Sequence, residues 1–136
     1  MGSLESILVT GGVGFIGSHA VEYYAKQDFE VTAFDNLSRV DTLETADEYR
    51  NTAAHNWNYI SENYPNVKLI EGDIRDKDHL RRVAEGHDAI VHTAGQVAVT
   101  ASIQDPRTDF ETNALGTFNV LEAARKVDSN PAVVLA

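Results

Sequence analysis

The amino-acid sequence predicts an α/β fold in which helices cover both faces of a parallel sheet. Short apolar runs rich in β-branched residues alternate along the chain with segments whose apolar residues recur every three or four positions. Strands that alternate with helices imply right-handed βαβ crossovers and parallel pairing. A glycine-rich segment directly after the first run indicates a ligand crevice where the strand order reverses. We therefore predict a doubly wound sheet of five strands in the order 3-2-1-4-5.

The composition narrows the classes of protein to which the chain can belong. Its 136 residues suffice for one domain, residues 1–136, and the absence of cysteine excludes disulfides, thiolate metal sites and cysteine nucleophiles. A net charge of −10 opposes the phosphate backbone of nucleic acids. No apolar run approaches the roughly 20 residues of a membrane span, and the first residues lack the features of a signal peptide. We expect a cytoplasmic domain without a nucleic-acid or membrane partner and, since its five histidines are scattered, without a metal site.

The strands and helices are predicted from local patterns. Apolar runs that end at glycine, acidic or polar residues predict strands at Ser6–Thr10, Glu30–Phe34, Val67–Glu71, Ala89–Thr93 and Ala132–Ala136. Apolar residues at helical spacing predict helices at Phe15–Gln27 and Lys77–Glu85. A long helix is predicted from residue 105 to about residue 126, because Asp105 suits an N-cap and Pro106 the first helical position.

The connection between the second and third strands, residues 38–64, is too long to lack secondary structure in a compact domain. Apolar residues recur along it at intervals of three or four: Leu43, Ala46, Tyr49, Ala53, Trp57, Ile60 and Tyr64. This spacing predicts a helical insertion of one or two amphipathic helices, with a break near Asn51 or Asn56. Packing over the sheet edge is the favoured interpretation of the insertion, and a lid or an oligomer contact is the alternative.

The loop between the first strand and the first helix reads TGGVGFIG, from residue 10 to residue 17. Gly11 would permit a tight turn, Gly14 would let backbone N–H groups approach a pyrophosphate, and Gly17 would bring helix and strand close together. The helix N-terminus would then face the phosphates with free N–H groups and the positive end of its dipole. The context predicts a dinucleotide site, and a simple strand-to-helix turn is the alternative.

An acidic residue follows this loop at the position that a dinucleotide site requires. Asp35 lies 24 residues after Gly11, at the end of the second predicted strand. Its carboxylate would accept hydrogen bonds from the adenosine ribose hydroxyls and repel a 2′-phosphate, which favours NAD over NADP. Arg39 could pair with such a phosphate, but Asp35 would lie against it. The alternatives are NADP as the cofactor and an Asp35 that only forms a turn.

Residues after the third and fourth strands would complete the site. Asp73 would accept a hydrogen bond from the adenine amino group, with Ile74 beside the ring, or would instead cap the following helix. His92 is interpreted as a hydrogen-bonded core histidine, with a general base as the alternative. Asn113 either bonds a backbone carbonyl or an ordered water, or lies at the solvated helix surface. Three further residues face a substrate or are ordinary polar loop residues: Gln96, Thr100 and Ser102.

Five sequence motifs in register resemble one known family. They are TGGVGFIG (10–17), DNLSR (35–39), GDIRD (72–76), HTAGQ (92–96) and NALGTFNVLEA (113–123). Together they are similar to the extended short-chain dehydrogenase/reductase family, and within it to NAD-dependent nucleotide-sugar epimerases and dehydratases. Residues 94–111 most resemble the CDP-paratose 2-epimerases. The resemblance implies a Rossmann-type domain whose predicted cofactor-binding residues are Gly11, Gly14, Phe15, Ile16, Gly17, Asp35, Asn36, Ser38, Arg39, Asp73, Ile74, Thr93, Ala94, Gly95, Gln96 and Asn113.

The resemblance also implies a reaction. In this family a bound NAD removes a hydride from a carbon of a nucleotide-diphosphate sugar and returns it, with a Tyr-x-x-x-Lys tyrosine as acid–base catalyst. We expect none of the five tyrosines of the chain to be followed by lysine at this spacing, and all five precede the third predicted strand, so we predict that the chain lacks this catalytic pair. We expect an NAD-binding part, inactive alone and without the sugar-binding region. The alternative is a stand-alone NAD(H) sensor or interaction module. We also expect a dimer formed through an exposed sheet edge or the long helix.

Overall fold

The computed structural model describes residues 3–38 and 46–136, and within residues 46–63 it describes the side chains from residue 53 onward. Five strands form one parallel sheet: β1 (Ser6–Thr10), β2 (Glu30–Asp35), β3 (Lys68–Glu71), β4 (Ala89–His92) and β5 (Ala132–Leu135). Their order is β3-β2-β1-β4-β5, which confirms the predicted fold class. Each strand begins and ends within one residue of its predicted bounds.

Six α-helices are found in the described part of the chain. They are α1 (Phe15–Lys26), α2 (Ala46–Asn63), α3 (Lys77–Ala84), α4 (Val99–Gln104), α5 (Pro106–Phe110) and α6 (Gly116–Lys126). The predicted break in the insertion near Asn51 or Asn56 is wrong, because α2 runs through both positions. Leu43 lies outside the described residues.

The prediction of a single long helix from residue 105 is also wrong in part. A π-helical turn at Glu111–Leu115, here called the π-turn, separates α5 from α6. Asp105 does cap α5, since its side chain accepts a hydrogen bond from the Thr108 N–H. The additional helix α4 occupies the segment where the sequence suggested polar loop residues.

Helices on both faces of the sheet bury two apolar cores. Alternation along β1 divides its side chains, so that Ile7 and Val9 pack in the core beneath α1 and α2 while Leu8 packs in the core beneath α3 and α6. Ile60 of α2 is only 1% exposed and belongs to the first core. The insertion helix is therefore part of the folded layer, and its packing agrees with the favoured interpretation of the insertion.

The outer strand β5 and the surface of α6 carry exposed apolar side chains. Val134 and Leu135 of β5 are both more than half exposed.

Among the described residues, no group of three or more His, Asp or Glu side chains is arranged to hold a metal ion. Within the same ranges, no helix is long and apolar enough to cross a membrane.

Candidate nucleotide-binding site

The loop that follows β1 turns tightly against β2 and β4. Gly11 has a φ of +67°, a conformation that residues with a side chain rarely adopt. A Cβ at Gly11 would also lie 2.7 Å from the backbone nitrogen of Ala94, so the approach of the loop to the end of β4 requires glycine. The Gly11 N–H donates to the Phe34 carbonyl of β2 at 2.8 Å. The loop is thus held where the strand order reverses, between β1 and β4.

Gly17 and Gly14 shape the start of α1 in different ways. A Cβ at Gly17 would overlap the Gly11 carbonyl oxygen, so this glycine allows the helix to pack on the loop. Gly14 has an ordinary φ of −72°, and a Cβ there would meet within 4 Å only the Gly11 carbonyl oxygen, at 3.2 Å. The φ of Gly14 is therefore open to other residues, and a Cβ there would require the Gly11 carbonyl oxygen to shift by a few tenths of an ångström. What Gly14 provides is space on the outer side of the loop.

The first turn of α1 borders that space. The helix begins after Gly14 with no side-chain cap, and the first N–H groups of a helix have no partner within it. These N–H groups and the positive end of the helix dipole favour an anion. Phe15, the first residue of α1, is 73% exposed beside them, and Ile16 is exposed as well. An anionic ligand with an apolar part would suit this surface.

Asp35 ends β2 beside the loop. Its Oδ2 accepts a hydrogen bond from the Val13 N–H at 3.1 Å, and its Oδ1 accepts one from the Leu37 N–H at 2.9 Å. The carboxylate therefore connects the glycine loop to the turn after β2. In that turn Leu37 has a φ of +57°, which is strained for leucine, and the Asn36 side chain accepts from the Ser38 N–H at 3.0 Å.

Asp73 follows β3 and contacts the same turn. Its carboxylate accepts from Nδ2 of Asn36 at 3.1 Å and from Nη2 of Arg75 at 2.7 Å. Burial raises the pKa of Asp73, but hydrogen bonds from the Arg75 side chain and backbone and from Asn36 outweigh burial and lower the pKa to about 2. The alternative role of Asp73 as a helix cap is wrong, because Asp76 caps α3 by accepting from the His79 N–H at 3.0 Å.

Ile74 is held in place by α6. Its carbonyl accepts a hydrogen bond from Nδ2 of Asn119 at 3.0 Å, and Asn119 is only 7% exposed. Gly116, one turn earlier, allows this approach, since a Cβ there would lie 2.5 Å from Cδ1 of Ile74. Sequence reasoning missed Asn119 because its partner is 45 residues away. The available signal was a short amide among apolar helix positions, next to Val120.

His92 lies in the core at the end of β4. Its Nδ1 is 2.6 Å from Oγ1 of Thr10, and its Nε2 is 2.9 Å from Oγ1 of Thr117. Burial lowers the pKa of His92. These contacts agree with the hydrogen-bonded core histidine that the sequence suggested. The next residue, Thr93, donates from Oγ1 to the Thr10 carbonyl at 2.8 Å and so joins β4 to β1.

Asn113 lies in the π-turn and binds the backbone after β4. Its Oδ1 accepts from the Gln96 N–H at 2.7 Å, and its Nδ2 donates to the Gln96 carbonyl at 2.9 Å and to Asp109 at 3.0 Å. Asp109 also accepts from Oγ of Ser102 at 2.7 Å. A solvated Asn113 is therefore wrong, and bonding to a backbone carbonyl is confirmed. The Gln96 side chain bonds the backbone N–H and carbonyl of Ala98, and so closes its own loop.

One stretch of the chain has the Tyr-x-x-x-Lys spacing, so the prediction that the spacing is absent is wrong. In Tyr64–Lys68, however, the tyrosine hydroxyl donates to Glu22 at 2.7 Å, and this bond raises the pKa of Tyr64. A tyrosine that acts as a base needs its pKa lowered. Lys68 begins β3, at the edge of the sheet opposite the glycine loop. This pair is therefore not placed to act on a ligand at that loop.

The structure brings the described candidate residues together at the carboxyl edge of the sheet. Contacts connect Gly11 with Ala94, Val13 with Asp35, Asn36 with Asp73, and both Gly95 and Gln96 with Asn113. Arg39 lies outside the described residues, and its role stays a prediction. The residues fit a dinucleotide: the space beside Gly14 and the N–H groups of α1 suit a pyrophosphate, and the carboxylate of Asp35 suits ribose hydroxyls.

A parallel sheet in this order, with a glycine loop at the reversal and an acidic residue ending the second strand, defines a Rossmann-type nucleotide-binding domain. The model of the GDP-mannose 4,6 dehydratase family matches residues 8–136, and the chain belongs to that family. CDP-paratose 2-epimerase of Salmonella typhi is 39% identical over 126 residues, which cover 91% of this chain and 34% of that protein. The chain thus spans about a third of the length of this relative.

Solved structures of related epimerases share the fold. UDP-glucose 4-epimerase of Thermus thermophilus, in complex with NAD, is 35% identical with a TM-score of 0.68, and the match covers 89% of this chain and 34% of the epimerase. UDP-glucose-4-epimerase from Stenotrophomonas maltophila, with bound NAD and formylated UDP-arabinopyranose, is 26% identical with a TM-score of 0.76. That match covers 96% of this chain and 36% of the epimerase.

Proposed function

We propose that this chain is the NAD-binding part of a nucleotide-sugar epimerase or dehydratase. One observation carries the proposal: the outer side of Gly14 is open space, and it lies directly before a helix start that has no side-chain cap. A pyrophosphate has the charge and size to occupy that space. Two solved relatives in the comparison contain NAD, which supports the same cofactor here.

In this proposal the cofactor lies along the carboxyl edge of the sheet. The pyrophosphate binds at Gly11, Gly14 and the N–H groups of Phe15 and Ile16, with Gly17 supporting the helix. The adenosine ribose binds Asp35, whose charge favours NAD over NADP. The remaining predicted contacts complete the site: Asn36, Ser38 and Arg39 near the ribose, Asp73 and Ile74 at the adenine, and Thr93, Ala94, Gly95, Gln96 and Asn113 beneath the central part of the cofactor.

The parent reaction is oxidation and reduction at a sugar carbon of a nucleotide-diphosphate sugar, for which bound NAD supplies the hydride acceptor and donor. Within the described residues no tyrosine is placed at the cofactor edge, so we expect binding of NAD(H) and no epimerase activity from this chain alone. A stand-alone NAD(H) sensor or interaction module is the alternative. A cytoplasmic location, expected from the sequence, belongs to the same proposal.

Self-association is a second part of the proposal. Leu115, Phe118 and Leu121 recur at intervals of three, so they form an apolar stripe along the π-turn and α6, and Phe118 is 57% exposed. The stripe is close to the outer strand of the sheet, because α6 contacts both β4 and β5. A second copy of the chain that covered this stripe would bury its apolar area.

Substitution of Gly14 by valine tests where the cofactor binds. The φ of −72° is open to valine, so we expect the fold to persist with a small loss of thermal stability. The added methyl groups would fill the space for the pyrophosphate, and we expect NADH affinity to fall by at least about tenfold. Nicotinamide fluorescence measures binding, and circular dichroism measures folding. A folded G14V variant that binds NADH as tightly as the unaltered chain contradicts the proposed site.

A further inference from the structure

We propose that Asn56 of the insertion helix α2 is a positioning residue of the cofactor site, which holds the glycine loop in its binding conformation. This inference rests on the proposed function. Nδ2 of Asn56 donates a hydrogen bond to the carbonyl of Val13, in the middle of the loop, at 2.9 Å. The two residues are 43 positions apart, and no sequence motif connects them.

The Val13 carbonyl belongs to the peptide that leads into Gly14. Asn56 holds this peptide at its oxygen, and the Gly11 carbonyl holds it at the other end by accepting from the Gly14 N–H at 3.0 Å. The preceding peptide is held as well, because the Val13 N–H donates to Asp35. The loop therefore has fixed peptide orientations directly before the N–H groups of α1.

The side chains reinforce the same contact. Val13 is 1% exposed and shares an apolar core with Ile60, one turn after Asn56 on α2. Trp57 packs against that core from the same helix. The insertion thus contacts Val13 both through apolar packing and through a hydrogen bond, and Asn56 supplies the part that depends on peptide orientation.

The orientation matters because of charge. With Asn56 in place, the Val13 carbonyl oxygen points toward α2. The N–H groups of Gly11, Gly12, Val13 and Gly14 are bonded within the protein, so the first N–H groups of α1 are the donors left for the space beside Gly14. Without this donor the half-buried carbonyl loses its partner, and the peptide gains freedom to turn its oxygen toward the phosphates, which it would repel. A loop that is ordered before binding saves the cost of ordering it on binding, so its loss lowers affinity.

Three variants separate the hydrogen bond from charge. Asn56→Ala removes the donor, and Asn56→Asp replaces it with an acceptor of the same shape. Asn58→Asp makes the same charge change at an exposed position of α2. We expect dissociation constants for NADH and for ADP-ribose to rise roughly five- to tenfold in N56A and further in N56D, and to stay within about twofold in N58D.

Binding is measured by titration at a temperature where thermal melts show every variant fully folded. Equal affinity of N56A and the unaltered chain, or equal losses in N56D and N58D, would overturn the role of Asn56. Amide hydrogen exchange at Gly14 is a second readout in the free chain, and we expect it to be faster in N56A, whereas an unchanged rate would contradict the inference. An unaltered chain that binds no NADH would instead contradict the proposed function.

Discussion

Asp35 combines hydrogen bonds to the glycine loop with a negative charge that would select the cofactor in the proposed site. Its carboxylate accepts from backbone N–H groups on both sides, at Val13 and at Leu37, and thereby lies at the loop rather than in solvent. A carboxylate so placed would receive ribose hydroxyls and repel a 2′-phosphate. In the proposed site, the negative charge of Asp35 would discriminate between NAD and NADP, while its two acceptor oxygens hold the backbone at Val13 and Leu37.

Asp35→Asn removes the charge and keeps only one of the two acceptor oxygens, so the ratio of the NADH and NADPH affinities, rather than the NADH affinity alone, tests the role of the charge. In Asp35→Asn we expect NADH affinity to fall several-fold and the preference for NADH over NADPH to shrink by roughly tenfold, because the repulsion of the 2′-phosphate is lost. The matched control is Asp128→Asn, the same change at an exposed position after α6. Fluorescence titration with both dinucleotides measures the preference. A preference that is unchanged in D35N would show that Asp35 does not select the cofactor.

Asp73 makes the stability of the chain depend on pH. Its pKa is lowered to about 2, against an ordinary value of 3.8, so its charged form stabilises the fold above about pH 4 and this contribution is lost as the pH falls toward 2. After allowance for partial exposure of the pair with Arg75, we expect Asp73→Asn to reduce the free energy of unfolding by about 1 kcal/mol at pH 7. Urea denaturation at several pH values should show this difference shrinking below pH 4, and a constant difference would contradict the assignment.

Residues with local signals were predictable, and residues with distant partners were not. Gly11 and Asp35 lie within short motifs whose chemistry depends on neighbours in sequence. The partners of Asn56 and Asn119 are 43 and 45 positions away, so only the folded chain shows what each amide binds. Tyr64 shows the opposite error, because its spacing to Lys68 matches a catalytic motif while its contacts do not.

At the scale of elements, the insertion helix α2 is a layer of the fold that also contacts the site. Its Ile60 packs beneath α1 in the core that contains Val13. Polar Asn56 does not break the 18-residue helix α2, because its side chain bonds the glycine loop instead of competing for the backbone groups of the helix.

The energetic role of α2 is tested by removing its buried anchor. We expect Ile60→Ala to lower the free energy of unfolding by about 2–4 kcal/mol, because it leaves a cavity in a closed core. The matched control is Ile103→Ala at a position of α4 that is 76% exposed, where we expect a change within about 0.5 kcal/mol. Chemical denaturation measures both. Equal effects of the two variants would mean that α2 is not packed as described.

Apart from the break predicted in α2, the elements that sequence reasoning misplaced lie between β4 and α6. Val99, Thr100 and Ile103 give α4 a β-branched composition, and its N-cap position, Ala98, provides no side-chain cap, so neither helix signal is present. The π-turn has ordinary helical residues, and its distinguishing contact is Asn113 with the backbone of Gln96. That contact joins two segments of the fold, so local propensity could not reveal it.

At the scale of the whole molecule, the doubly wound sheet is covered on both faces but leaves an apolar surface along α6 and β5. Its strand order was predicted from the alternation of element types, which leaves few topologies open, and from the glycine-rich segment that marks where the order reverses. The exposed side chains Leu115, Phe118 and Val134 were not predictable individually, since local sequence does not state which face of a helix is covered.

Self-association through that surface gives a prediction for the intact chain. We expect the sedimentation coefficient to rise with protein concentration, and Phe118→Glu to move the equilibrium toward monomer by at least roughly tenfold, because a charge would be buried in an apolar contact. Tyr23→Glu, at an exposed position of α1, is the control. An unaltered chain that sediments as a monomer at every concentration would argue against the dimer.

Titration of the unaltered chain with NADH tests the central claim most directly, because every role in cofactor binding assigned above assumes that the dinucleotide binds at the glycine loop. With folding verified by circular dichroism, we expect a saturable change in nicotinamide fluorescence with one site per chain and competition by ADP-ribose. A folded sample that shows no saturable change at millimolar NADH would contradict the account.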